Sequence, residues 1–152
     1  KYKNLAIMKT MSKVGFASLR VGYLLAHKDI INVINKVRLP YNLSTLSSII
    51  AQDFFDNQKK YKNDIDKIIK ERERIFLKLR TYEKLEVYHS DSNFIFIKFN
   101  RSKALYKYLL DRNINIKIFS NSSLKNYFRI TIGTPRENNL ILSCIKNFIY
   151  HK

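Results

Sequence analysis

One long amphipathic segment near the middle of the chain constrains its fold more than any other feature. Between residues 58 and 81, apolar side chains recur at helical spacing and most positions between them are polar or charged. These apolar positions are Ile65, Ile68, Ile69, Ile75, Phe76 and Leu79. The pattern predicts one long helix whose apolar face packs on the core of the chain or, alternatively, along a partner helix. No Pro/Gly/Ser-rich linker flanks the segment, so we expect the helix itself to bridge two parts of the chain.

The part that follows the long helix alternates between strand and helix patterns. We expect strands over residues 85–88, 94–99, 115–119 and 127–132, and a helix over residues 103–110. Pro135 is expected to open a final helix, because proline suits the first turn. Strands that alternate with helices indicate a small α/β sandwich in this part.

The part before the long helix is more irregular. We expect strands over residues 5–8 and 19–26, joined by a polar loop over residues 10–18. A helix should begin near Asp29 and end before Pro40, and Ser44 or Thr45 should cap another helix that runs through Phe55. The chain starts with a strand pattern instead of an initiator Met, so we expect it to be cut from a longer protein.

Composition and charge exclude several classes of protein. The 152 residues are 45% hydrophobic, too apolar for a disordered chain, although the formal net charge is +17. The sequence contains no run of about 18 uncharged apolar residues, so it predicts no membrane span.

The charge leaves open a nucleic-acid-binding module, but the lysines are scattered and no zinc-finger or helix-turn-helix signature is present. The single cysteine, Cys144, falls in an apolar helical pattern and is expected to be buried, and the three histidines lack metal-ligand spacing.

Residues 9–23 (KTMSKVGFASLRVGY) form the segment most suggestive of chemistry. It combines the hydroxyls of Thr10 and Ser12 with Lys13, small residues, and Arg20 at the start of the predicted strand. Hydroxyls and a planar guanidinium suit a phosphate group, and a lysine amine is a candidate nucleophile toward a carbonyl carbon. This combination fits a phosphorylated aldehyde cofactor. The alternative is that Lys13 is one more surface lysine among many.

The same segment resembles the cofactor-lysine signature of the fold-type I pyridoxal-phosphate aminotransferases, in which Thr-x-Ser-Lys precedes small residues and an Arg. It is most similar to the histidinol-phosphate aminotransferase family. Further matching stretches follow in the order of that family: residues 36–44 (KVRLPYNLS), 71–74 (ERER), 92–94 (SNF) and 127–138 (YFRITIGTPREN). The resemblance therefore runs nearly from end to end of the chain.

The resemblance implies a role for each matching residue. Lys13 would hold the pyridoxal 5'-phosphate covalently and later carry a proton between substrate and cofactor. Ser12 and Thr10 would hydrogen-bond the cofactor phosphate, and Arg20 would pair with it. Arg129 would bind the α-carboxylate of the substrate, and no metal is implied.

Two positions depart from the family pattern. Arg20 follows Lys13 by seven positions, one fewer than in many members of the family, so the loop is tighter. Lys117 stands where the family usually has an arginine that contacts the substrate phosphate. A lysine supplies a positive charge at this position but lacks the planar guanidinium that binds a phosphate through two parallel hydrogen bonds.

The resemblance also implies how the chain is divided. Residues 1–42 would end a large cofactor-binding domain, residues 43–81 would form bridging helices, and residues 82–152 would be the small α/β sandwich domain. The preceding part of the enzyme would supply the aspartate that pairs with the pyridine nitrogen, so we expect this chain alone to be inactive.

The parent enzyme is expected to be a cytoplasmic homodimer without nucleic-acid or membrane partners. It would exchange an amino group between histidinol phosphate and 2-oxoglutarate or glutamate in histidine biosynthesis. The alternatives are another amino-acid aminotransferase, a phosphothreonine-type decarboxylase of the same fold, a basic nucleic-acid-binding module, or a non-catalytic remnant that packs on a partner chain.

Overall fold

The computed structural model describes residues 2–150 and divides the chain into two compact units, one ending at Asn63 and the other beginning at Asp64. The division falls inside the long helix that the sequence predicts. The helices and strands are β1 (Ala6–Thr10), β2 (Gly22–Ala26), α1 (Lys28–Val37), α2 (Thr45–Asp56), α3 (Gln58–Arg80), β3 (Glu86–Tyr88), β4 (Phe94–Lys98), α4 (Ser102–Leu110), β5 (Lys117–Ile118), β6 (Tyr127–Thr131) and α5 (Pro135–Tyr150). None of the helices in this described part is long and apolar enough to cross a membrane.

The first unit contains an antiparallel pair of strands, β1 and β2, followed by α1 and α2. Helix α1 ends three residues before Pro40, where the residues preceding a proline disfavour helical backbone. The Ser44 hydroxyl accepts a hydrogen bond from the Ser47 backbone N–H at 3.1 Å, so Ser44 is the cap of α2, as predicted. The buried apolar side chains of this unit are few: Met11, Val21 and Ala51.

The second predicted strand, over residues 19–26, is three residues too long. Arg20 has a left-handed backbone with φ of 57°, which an extended strand does not accommodate, and β2 therefore begins at Gly22. The loop predicted over residues 10–18 is also more ordered than expected. It contains two short 3₁₀ turns, Met11–Val14 and Ala17–Leu19.

The second unit is an α/β sandwich built on a four-stranded antiparallel sheet with the order β3–β4–β6–β5. One face of the sheet presents Ile95 and Ile97 of β4 and Phe128 and Ile130 of β6, which share one core with side chains from α3, α4 and α5. Ile75 and Leu79 of α3 lie in the same core. Ile68 and Phe76 pack against it. This part of the helix face therefore packs on the chain's own core, as the first predicted alternative has it, whereas Ile69 is 42% exposed.

The strand predicted over residues 115–119 is reduced to two paired residues, Lys117 and Ile118. Strand β5 lies at the edge of the sheet and pairs only with β6, while Asn113, shortly before it, has a left-handed backbone with φ of 59°. The predicted burial of Cys144 is confirmed, since its side chain belongs to the core of this unit. The final helix begins at Pro135, as predicted.

A buried polar network ties α3 to the turn between β6 and α5. Asn138 is 1% exposed, accepts a hydrogen bond from the Gly133 N–H, and donates to the Gly133 carbonyl and the Glu71 carboxylate at 2.8–2.9 Å. The Arg74 guanidinium donates two hydrogen bonds to the same carboxylate, each of 2.8 Å. These bonds, first from Arg74 and then from Asn138, hold the pKa of Glu71 below its usual value of 4.5.

Replacing Glu71 with glutamine should therefore change how stability depends on pH. A carboxylate whose pKa is lowered by folding contributes stability above its unfolded pKa, here about 4.5, and loses that contribution as the pH falls through the folded pKa. We expect Glu71→Gln to lower the free energy of unfolding at pH 7 and to have a much smaller effect at pH 3, measured by urea unfolding. The exposed pair of Asp64 and Lys67 provides the control, because Asp64→Asn should change little at either pH. Equal effects of Glu71→Gln at the two pH values would contradict the assignment.

Candidate active site

The predicted lysine lies on a short turn that directly continues β1. Thr10, the last residue of β1, caps the 3₁₀ turn Met11–Val14, and its hydroxyl oxygen accepts a hydrogen bond from the Ser12 backbone N–H at 3.2 Å. The Thr10 hydroxyl also donates to the Ser12 hydroxyl oxygen at 2.9 Å. The two hydroxyls are thus held together at the start of the turn that contains Lys13, whose side chain is exposed.

Buried neighbours and backbone hydrogen bonds anchor this turn. Met11 is 1% exposed and packs in the small core of the first unit, and its N–H donates to the Val21 carbonyl at 3.1 Å. The Phe16 N–H donates to the Met11 carbonyl, also at 3.1 Å. Gly15 has φ of 99°, a left-handed conformation that glycine adopts without strain. The backbone that carries the exposed Lys13 is therefore held on both sides.

An aromatic cluster next to the lysine turn was not anticipated from the sequence. The Phe16 ring meets the rings of Phe54 and Tyr61 edge-on, with centroids 5.5 and 5.4 Å away. The Tyr61 hydroxyl donates to the Asp53 carboxylate, and this bond, together with one from Asn57, holds the pKa of Asp53 below its usual value. The sequence signal for the cluster is Phe16, the one aromatic residue in the loop predicted over residues 10–18.

Arg20 lies in the turn that leads into β2, on the same β1–β2 connection as Thr10, Ser12 and Lys13. Its terminal nitrogen donates to the Ala17 carbonyl at 3.4 Å, a long bond that leaves most of the guanidinium donors available. The four residues predicted to hold a phosphorylated cofactor thus come from one connection between two paired strands. Their donor set, two hydroxyls and a guanidinium beside a lysine amine, fits the phosphate and aldehyde of such a group.

The two predicted substrate-binding residues lie in the second unit, on neighbouring strands. Lys117 of β5 and Arg129 of β6 are direct cross-strand partners, so their side chains share one face of the sheet. This face is the one opposite the core, and Phe96 of β4 is the partner of Arg129 on its other side. The Nε atom of Arg129 is buried and has no hydrogen-bond partner among the described residues. Among residues 2–150, which the structure describes, no group of three or more His, Cys, Asp or Glu side chains could hold a metal ion.

The chain is similar to known aminotransferases over nearly its whole length. The family model described as aminotransferase class I and II matches residues 1–145. A histidinol-phosphate aminotransferase from Ruminiclostridium cellulolyticum is 38% identical over 153 aligned residues, which cover 99% of this chain and 43% of that protein.

Two solved structures have the same fold. A histidinol-phosphate aminotransferase from Sinorhizobium meliloti in complex with pyridoxal-5'-phosphate superposes with a TM-score of 0.82 at 24% identity, over 97% of this chain and 41% of that one. An L-threonine-O-3-phosphate decarboxylase from Porphyromonas gingivalis gives a TM-score of 0.81 at 26% identity, over 96% of this chain and 47% of that one. This chain therefore spans less than half the length of each of these three proteins.

Proposed function

Because this chain belongs to the class I and II aminotransferase family, we propose that it is the C-terminal portion of a pyridoxal-phosphate-dependent aminotransferase. The observation that carries the proposal is the anchored turn in which the hydrogen-bonded hydroxyls of Thr10 and Ser12 stand beside the exposed Lys13. The residues around this turn also match the cofactor-lysine signature. The family relationship extends over nearly the whole chain, so the turn is not an isolated motif match.

In the proposed site, the residues of the first unit hold the cofactor. Pyridoxal phosphate supplies an aldehyde that takes up amino groups and a conjugated pyridine ring that accepts electrons from the substrate. Thr10 and Ser12 donate hydroxyl hydrogen bonds to its phosphate, and Arg20 adds a charge-assisted bond. The Lys13 amine would hold the aldehyde end of the cofactor and would move a proton at the substrate α-carbon.

The residues of the second unit are assigned to the substrate. Arg129 binds the α-carboxylate, because a guanidinium offers two parallel N–H bonds that match a carboxylate. Lys117, its cross-strand partner, supplies positive charge for a second anionic group such as a phosphate. We therefore favour histidinol phosphate as amino donor and 2-oxoglutarate as acceptor. The parent enzyme would act as a homodimer in the cytoplasm.

A decarboxylase acting on a phosphorylated amino acid is the second candidate. The similarity to the phosphothreonine decarboxylase structure supports it. Assay of the longer parent protein separates the two reactions, because a decarboxylase releases carbon dioxide whereas an aminotransferase leaves a keto product and consumes 2-oxoglutarate.

The cofactor assignment is tested by covalent trapping on this chain. With limiting pyridoxal 5'-phosphate and borohydride, we expect the pyridoxyl group on Lys13 about tenfold or more above any other lysine, since hydrogen bonds to the phosphate favour this site. Peptide mass spectrometry locates and quantifies the modified lysines. Lys9, an exposed lysine on the adjacent strand, is the matched reference.

Two variants sharpen this experiment. Ser12→Ala should reduce modification of Lys13 and leave that of Lys9 unchanged, because it removes one phosphate donor. Lys9→Ala should leave Lys13 labelling as it is in the wild type. Labelling spread evenly over the exposed lysines, with Lys13 no more reactive than Lys9, would refute the cofactor site.

A further inference from the structure

The guanidinium of Arg129 lies over an aromatic ring of the neighbouring strand. Its central carbon, Cζ, is 4.7 Å from the centroid of the Phe94 ring, within the range of a cation–π contact. Arg129 is paired across the ladder with Phe96, whereas Phe94 is paired with Thr131. The Arg129 side chain therefore reaches diagonally across the open sheet face to the ring two residues before its direct partner.

The same guanidinium has a nitrogen whose hydrogen-bonding capacity the described residues leave unused. Its Nε is buried and has no hydrogen-bond partner among the described residues. A buried donor that is left without an acceptor is unfavourable, and such donors are rare in folded proteins. A ligand oxygen beside the guanidinium would satisfy it.

Other arginines of the second unit differ in this respect. Arg74 donates two bonds to the Glu71 carboxylate. Arg112 also lies over an aromatic ring, with Cζ 3.6 Å from the centroid of Tyr108, but it donates to the Tyr108 carbonyl at 3.0 Å. Arg129 thus combines a stacked guanidinium with an unsatisfied buried nitrogen, the combination expected of a preorganised carboxylate receptor.

We propose that Phe94 is a positioning residue, whose ring holds the plane of the Arg129 guanidinium so that its N–H groups point at a carboxylate. This role of Phe94 rests on the proposed function of Arg129, which is to bind a carboxylate, and it identifies the side chain that orients the guanidinium. A flat ring restrains a planar cation in one orientation without competing for its hydrogen bonds. An acidic partner in place of the ring would occupy those donors instead.

The test uses the complete 152-residue chain labelled with ¹⁵N, and it follows the arginine Nε–Hε signals by NMR. In the wild type, the ring current of Phe94 should shift the Arg129 Hε signal upfield. Titration with glutarate, a dicarboxylate, should move that signal downfield as the oxygen is bound. Assignment follows from the signal that disappears in Arg129→Lys.

The ring-deleting variants Phe94→Leu and Phe94→Ile should both lose the upfield shift and bind glutarate about tenfold more weakly. Phe94→Tyr keeps the ring and should restore both properties, which loss of packing alone would not do. Tyr108→Leu is the matched control: it should move the signal of Arg112 and leave Arg129 and its glutarate affinity unchanged.

The outcomes separate this inference from the proposed function. Wild-type affinity and shift in the ring-deleting variants would overturn the role of Phe94. A wild-type Arg129 signal that does not respond to glutarate would instead overturn carboxylate binding by Arg129. In that case, the upfield shift and its loss in the ring-deleting variants still decide whether Phe94 positions the guanidinium.

Discussion

Residues 64–152, produced without the preceding part of the chain, are expected to fold and to unfold in one cooperative transition, whereas residues 1–63 alone are expected to remain largely unfolded. The reason is the distribution of buried apolar side chains. Among the described residues, the core of the second unit contains eighteen buried members, but that of the first contains only Met11, Val21 and Ala51. Burial of apolar surface is the dominant favourable contribution to folding, so only the second unit has enough of it.

The surface of the first unit leads to the same expectation. Helix α1 and the segment after it expose large apolar side chains to solvent, including Val37, Leu39 and Tyr41. Tyr41 is 100% exposed and has a left-handed backbone with φ of 56°, which is unfavourable for a bulky residue. Ordering these exposed residues costs conformational entropy that their own burial does not offset.

Two substitutions serve as controls for the fragment that begins at Asp64. Phe128, which is 0% exposed, lies at the centre of the sheet, and Phe128→Ala should lower the free energy of unfolding by about 3–5 kcal/mol. Leu110 is 45% exposed, so Leu110→Ala should change it by no more than about 0.5 kcal/mol. Urea unfolding followed by circular dichroism measures both. A native-like, well-dispersed NMR spectrum from residues 1–63, or gradual unfolding of residues 64–152, would contradict the expectation.

The helices were predictable because their signals are local. The apolar spacing in α3 and the cap at Ser44 are properties of a few neighbouring residues, and both are found as predicted. The end of α1 follows likewise from Pro40.

The mismatches arise where tertiary structure decides the backbone. Nothing in the residue types around Arg20 shows that it adopts a left-handed conformation, which delays the start of β2. Likewise, residues 115–119 resemble a strand, but an edge position with one neighbouring strand leaves only Lys117 and Ile118 paired. Local propensity does not contain that information.

The candidate site likewise has one part that a local motif predicts and another part that depends on tertiary structure. Thr10, Ser12 and Lys13 are nearly consecutive, so a short motif was enough to find them together. The contact between Arg129 and Phe94 depends on the register of β4 against β6, which no local pattern specifies. A sequence motif can therefore single out Arg129 as a candidate binding residue while missing the ring that contacts it.

Met11 belongs to the small core of the first unit and also anchors the turn that carries Lys13, the proposed cofactor lysine. Its side chain is 1% exposed, and its backbone forms hydrogen bonds with Val21 and Phe16 on the two sides of the turn. Replacing a buried methionine with alanine removes about 2–5 kcal/mol of stability. Because this unit has so few other buried side chains, we expect Met11→Ala to disorder the turn that carries Lys13.

The expected result is loss of selective pyridoxyl labelling at Lys13, with its modification falling to the level of Lys9, together with loss of hydrogen-exchange protection at the Met11 and Phe16 amides. Met8 supplies a matched control, because it is the same residue type on the adjacent strand and is 83% exposed. Met8→Ala should leave both measurements unchanged. Retained selectivity for Lys13 in Met11→Ala would mean that the hydroxyl pair alone holds the cofactor, independently of the core beneath the turn.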